Sequence, residues 1–162
     1  VNTKRDALLE LAAGAVAGMA GTVPMTLAMD AMHRRLPESQ RFPQDPALIT
    51  HSLSEQAGID ERFDNAHGRR VTLTGHFAYG ALMGALYATA RHAFPLPSPA
   101  LQGTCFGLLV WAGSYAGWLP ATGLFPAPQE RTLERNALGI AAHFVWGVAT
   151  GLTEARLNPP RT

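Results

Sequence analysis

Residues 71–129 read VTLTGHFAYGALMGALYATARHAFPLPSPALQGTCFGLLVWAGSYAGWLPATGLFPAPQ and carry a single formal charge, Arg91. The proline-rich turn Phe94-Pro95-Leu96-Pro97-Ser98-Pro99 cannot continue a helix and divides the run in two. Two apolar helices are predicted, at about 71–91 and 100–118. A helix exposed to water keeps a polar side. In a bilayer the preference reverses, because a Lys, Arg or Asp at mid-depth costs roughly 2.5–3.5 kcal/mol on insertion scales. So long a run with one charge predicts a chain surrounded by lipid.

Outward from this stretch the pattern repeats. A further helix is predicted at about 133–156, uncharged from Asn136 to Thr153. Another is predicted at about 7–33, after Lys4 and Arg5 and across Pro24. Its length, and the Thr26, Met29 and Asp30 that continue it at helical spacing, favour a membrane helix over a cleaved signal segment. Stretches of about 20 residues suffice to cross a bilayer. The expected fold is all-α: an integral membrane four-helix bundle forming one domain over 1–162, both termini on one side. In the polar loop 34–70 a short helix is predicted, framed by Pro43 and Pro46 with Asp45 placed to cap it, the alternative being a mobile loop. Leu48, Ile49, Leu53 and Ile59 give that helix an apolar face for the membrane surface or for the end of the bundle. Eight of the thirteen Lys and Arg residues lie in the 34–70 and 119–135 loops, which favours a cytoplasmic position for these loops. Lys4 and Arg5 argue the other way, so orientation stays open.

Charged residues are 15% of the chain and the net charge is +1, with no basic run of the kind that binds nucleic acid. The single Cys105 excludes a disulfide framework and a thiolate cluster, and reads as a small packing residue. Gly14/Gly18, Gly103/Gly107 and Gly113/Gly117 form GxxxG pairs, which let membrane helices approach closely, within one chain or between copies in a homo-oligomer.

The second and last long helices echo one another. His76-Phe77-Ala78-Tyr79-Gly80 followed by Gly84 matches His143-Phe144-Val145-Trp146-Gly147 followed by Gly151. Both helices run in the same direction, so the two histidines are expected at similar depth. On the earlier helix His76, Tyr79, Gly80, Met83, Gly84 and Tyr87 share a face. The antiparallel first helix brings Asp30 to the same side. This predicts a polar cluster of Asp30, His76 and His143 with Asn136 and Ser114, while Glu10, Arg91, His92 and Glu154 gather towards the other end. The plainer reading of the histidines is as packing groups that hydrogen-bond between helices for about 1 kcal/mol or less.

The chain also resembles the YagU-like family of bacterial inner-membrane proteins over roughly residues 70–157. The similarity rests on His76 with Tyr87, Phe94-Pro95, Gln102-Gly103, Pro120, Gly123-Leu124, Pro126 and Asn136, and on His143-Phe144-Val145-Trp146. It implies a multi-pass inner-membrane protein loosely linked to acid-stress survival, without an established catalytic activity. It singles out His76, Asn136, His143 and Trp146.

The leading expectation is therefore a non-enzymatic membrane protein that passes or senses protons or small solutes. Free histidine titrates near about 6.5, so a histidine cluster responds between acid and neutral pH. The alternative is a b-type haem module for electron transfer or sensing, with His76 and His143 as axial ligands. An enzyme is disfavoured, since no HExxH, serine elbow or Cys/His cluster is present. An Asp/His/His set for zinc is one ligand short. No catalytic residue and no metal ligand is assigned. A structural subunit is a further reading, supported only by the glycine faces.

Overall fold

The computed structural model describes residues 3–38, 41, 43–58 and 66–159. Among these the regular structure is entirely helical: α1 (Thr3–Arg34), α2 (Asp45–Gln56), α3 (Ala66–Ala90), α4 (Pro99–Gly113), α5 (Leu119–Ala121) and α6 (Leu133–Leu157). A π-helical turn, Ser114–Trp118, joins α4 to α5, and a 3-10 turn, Pro128–Glu130, leads into α6. The four long helices lie where the apolar stretches place them. Ile59, expected on the face of the short helix, lies outside the described residues.

Local chemistry fixes the helix ends. The Ser98 hydroxyl accepts the Leu101 N–H at 3.2 Å, with Pro99 at the first helical position. Thr132 does the same for Arg135 at the start of α6. After α5, Gly123 takes a left-handed conformation (φ 71°). The Leu124 and Gly123 N–H groups then reach back to the Leu119 and Pro120 carbonyls, each at 3.1 Å. This reversal turns Leu124 and Phe125 inward onto Tyr115 and Leu119. Leu48 and Ile49 of α2 pack on the same cluster, so α2 caps the helices. Asp45 does not cap α2: it is the first helical residue, and its carboxylate binds two arginines instead.

α1 packs along α3 and α6, and α4 packs along α6, whereas α3 and α4 barely touch. Glycine permits the two tightest crossings. A Cβ on Gly18 would meet the Gly84 Cα at 2.8 Å and the Gly80 carbonyl. A Cβ on Gly107 would lie 3.0 Å from the Gly147 Cα, and Gly103 faces Gly147 and Gly151. Two of the three GxxxG pairs are thus used inside the chain. The third is not a packing motif here. Nothing lies within 4 Å of a Cβ on Gly113, and Gly117 sits in the π turn with φ −116° and ψ −108°.

Between the crossings lies a core of Met25, Met29, Ala142 and Trp146, joined by Met83, Phe106 and Val110. The Trp146 indole donates to the Gly18 carbonyl at 3.0 Å and locks α6 to α1. The outer faces are apolar too, with Leu8, Val16, Val23 and Leu27 on α1, Leu82 and Leu86 on α3, Leu109 on α4, and Phe144 and Leu152 on α6 exposed. Among the described residues, one helix, Lys4–Arg34, is long and apolar enough to cross a membrane by length and composition.

Candidate functional site: a cavity between the helices

A partly open cavity of about 250 Å³ lies among α1, α3, the α4–α5 segment and α6, with α2 over it. Met25, Met29, Met83 and Trp146 make its apolar wall. Its polar groups are Thr22, Asp45, His76, Tyr79, Ser114, Tyr115 and His143. His76 is the eleventh residue of α3 and His143 the eleventh of α6. The echo in sequence therefore becomes two imidazoles, at matched positions on two helices, lining one space.

Each polar group has a distinct state. The Nδ1 of His143 lies 2.8 Å from the Gly139 carbonyl, an acceptor only, so Nδ1 carries the proton and Nε2 keeps a free lone pair in the neutral ring. The Tyr115 ring stands edge-on to this imidazole at 5.8 Å. His76 makes no hydrogen bond among the described residues, and its ring contacts that of Phe77. Tyr79 and Ser114 share a 2.8 Å hydrogen bond across the gap between α3 and the π turn. Ser114 and Tyr115, adjacent in sequence, are both buried at the start of that turn.

At the mouth, Asp45 is saturated. Arg131 Nη2 reaches it at 2.7 Å and Arg135 Nη2 at 3.4 Å. The Arg131 guanidinium also stacks over the Tyr115 and Phe125 rings, 5.2 and 4.8 Å from their centres.

The predicted polar cluster forms in part. His76 and His143 meet at the cavity with Tyr79, Ser114 and Trp146, but Asp30 and Asn136 do not line it. Met29 faces the cavity, so Asp30, about 100° further round α1, points elsewhere and accepts from Gln44 at 2.6 Å. Asn136 shares the His143 face of α6 but lies two turns nearer the helix start, where it donates to the Pro128 carbonyl at 2.8 Å. Tyr87 belongs to the opposite end, where its hydroxyl donates to Gln102 at 3.4 Å. That end gathers the four expected ionisable groups. Arg91 pairs with the fully buried Glu154 at 2.9 Å and lies 4.0 Å from Glu10, which also binds His92.

Three elements of the site were not read from sequence: Asp45 with its arginines, Tyr115, and the methionine wall. The first spans 86 residues of chain and leaves no local signal. The second lies about 80° round the helix from the Gly107 face, so spacing alone does not turn it inward. Of the third, Met83 alone was read, on the His76 face, while Met25 and Met29 come to it from α1 one turn apart.

The His143 geometry, with Nε2 free and Nδ1 bonded to a carbonyl, suits an axial ligand, but the space does not suit a haem. Pockets for drug-sized ligands, which are smaller than a haem, measure roughly 300–1,000 Å³, and this cavity measures about 250 Å³. Among the described residues no three His, Cys, Asp or Glu side chains converge to hold a metal ion. No protein-family model, curated protein or solved structure matches this chain.

Proposed function

We propose that this is a non-enzymatic integral membrane protein whose four long helices form a bundle across the bilayer, and whose cavity passes or senses protons or a small solute. Support for the membrane comes from where charge is missing. Residues 11–29, 71–90, 92–129 and 136–153 contain no Asp, Glu, Lys or Arg. The helical parts of these stretches are each about 18–23 residues, roughly 27–35 Å of helix, close to the hydrocarbon thickness. They lie side by side, with the Glu10–Arg91–Glu154 group at one end and Asp45–Arg131–Arg135 at the other. The exposed leucines and valines then face lipid. α4 proper ends after 15 residues at the π turn and continues through it to Ala121, and the faces of α3 and α6 carry Gly and Thr for close crossing, residues that membrane helices favour.

The single observation that carries the functional reading is the pair of imidazoles on one cavity within this charge-free zone. Ionisable groups in such a zone mark ion paths by default, and histidine changes charge between acid and neutral pH. The link to acid stress and to a bacterial inner membrane comes from the YagU-like resemblance alone. Against catalysis, Ser114 is bonded to Tyr79 rather than to a base. The test is acid-driven proton entry into dye-loaded liposomes carrying the purified chain, alongside acid survival of cells. We expect both to fall to background in a His76→Ala/His143→Ala variant present at the normal membrane level. Flux and survival equal to the unaltered protein would refute the reading.

A further inference from the structure

The cavity wall carries sulfur as well as imidazole. Met25 and Met29 of α1 and Met83 of α3 line it together with His76 and His143. Met25 and Met29 are 6% and 4% exposed and pack in one cluster with Trp146. We propose that the cavity is a binding site for a soft monovalent cation, Cu(I) in the cell, held by the thioethers of Met25 and Met29 and by Nε2 of His143, with Met83 and His76 on the same wall.

The donor chemistry selects the ion. Thioethers bind soft metals and are poor ligands for hard ones, and imidazole suits copper. His143 is already arranged as a ligand, because the Gly139 carbonyl fixes its tautomer and leaves Nε2 free. The remaining acid, Asp45, is already paired with two cations, Arg131 and Arg135, so the group at the mouth is net positive. With no spare negative charge, Ca²⁺ and Mg²⁺, which need several oxygen ligands, are excluded. Away from that group the proposed donors are uncharged thioethers and imidazole, and a single positive charge among them carries a smaller desolvation cost than a divalent ion. The plainer role for buried methionine is filling irregular gaps. Beyond that role, three of the five methionines, Met25, Met29 and Met83, line the same cavity as both histidines, a donor set that gap-filling does not require.

The inference rests on the cavity being a binding site, as proposed above, and not on anything passing through it. The experiment is calorimetric titration of the detergent-solubilised full chain with Ag(I), an air-stable probe of the same softness. A Cys105→Ser background removes the lone thiol. We expect one silver per chain, with sulfur and nitrogen neighbours in X-ray absorption. Met25→Leu/Met29→Leu, which preserves volume, should weaken binding at least about tenfold, and Met19→Leu should leave it unchanged. No saturable binding, or equal binding by a double variant with an unchanged circular dichroism spectrum, overturns the proposal. Silver binding without proton flux leaves the site standing and removes passage. Flux without silver binding does the reverse.

Discussion

Two glycines of α3 should respond to alanine with opposite signs. At Gly84 an added Cβ would lie 2.6 Å from the Gly18 Cα, 2.7 Å from the Gly18 nitrogen, and against the Gly14 carbonyl. Carbon atoms in contact sit about 3.5–4.0 Å apart, so α1 and α3 would have to separate by about 1 Å. The obstructing atoms are all backbone, and α1 is also held by α6, so no side chain can rotate away to relieve the clash. Overpacking of this kind costs about 1–3 kcal/mol, and a backbone clash belongs in the upper half of that range. At Gly75 nothing lies within 4 Å of the added atom. There only the entropy difference remains, and it favours alanine within a helix by about 0.5–1 kcal/mol. At about 2–4 °C per kcal/mol for a chain of this size, Gly84→Ala should lower Tm by about 4–12 °C and Gly75→Ala should raise it by about 1–4 °C. Melting of both variants in one detergent, followed by far-ultraviolet circular dichroism, is the assay. Shifts of the same sign, or an unshifted Gly84→Ala, would refute the crossing geometry.

At the other end, Glu154→Ala leaves Arg91 with only Glu10, 4.0 Å away, and should cost about 3 kcal/mol in the same melts, the low end for breaking a buried pair, while adding Arg91→Met should recover part of the loss. Cys105 is exposed on the outer side of α4, within the charge-free zone. In native vesicles it should resist a membrane-impermeant maleimide and react once detergent is added; full labelling before detergent would count against burial in lipid.

The fold was legible where chemistry is local. The Pro95–Pro99 turn, the charge-free runs and the echo at His76 and His143 each depend on neighbours within a few turns, and each marks a feature of the three-dimensional structure. The glycine pairs were legible as close-approach sites but not as to partner. Spacing makes Gly113/Gly117 look like Gly103/Gly107, yet only the latter meets another helix. Helical spacing explains the difference: at about 100° per residue Gly113 lies roughly 120° away from the Gly107 face, whereas Ser114, two turns after Gly107, returns to it and is buried. Asp45 was legible as a residue at a helix start, and its actual partners, Arg131 and Arg135, depend on how α2 folds back over the cavity. Asp30 was placed at the correct end, but a one-residue offset from Met29 turns it away from the site.

The cavity follows from the way the helices pair. α1 with α3, and α4 with α6, each cross through facing glycines, and the histidine-bearing helix of each pair carries the same HFx(Y/W)GxxxG sequence. A glycine crossing brings two backbones together and leaves no room for large side chains between them. Methionine, tryptophan and tyrosine are therefore displaced to where the two pairs meet. Along α1 and α6 these bulky groups interlock, with Trp146 bonded to Gly18. Along α3 and α4 the backbones stay apart, and side chains bridge the gap: Tyr79 to Ser114 of the π turn at one end, and Tyr87 to Gln102 and Phe106 at the other. One seam is thus filled and the other is left wide, and both histidines line the space between. Two tight pairs joined along a single seam leave such an opening wherever the remaining seam is bridged by side chains without being filled by them.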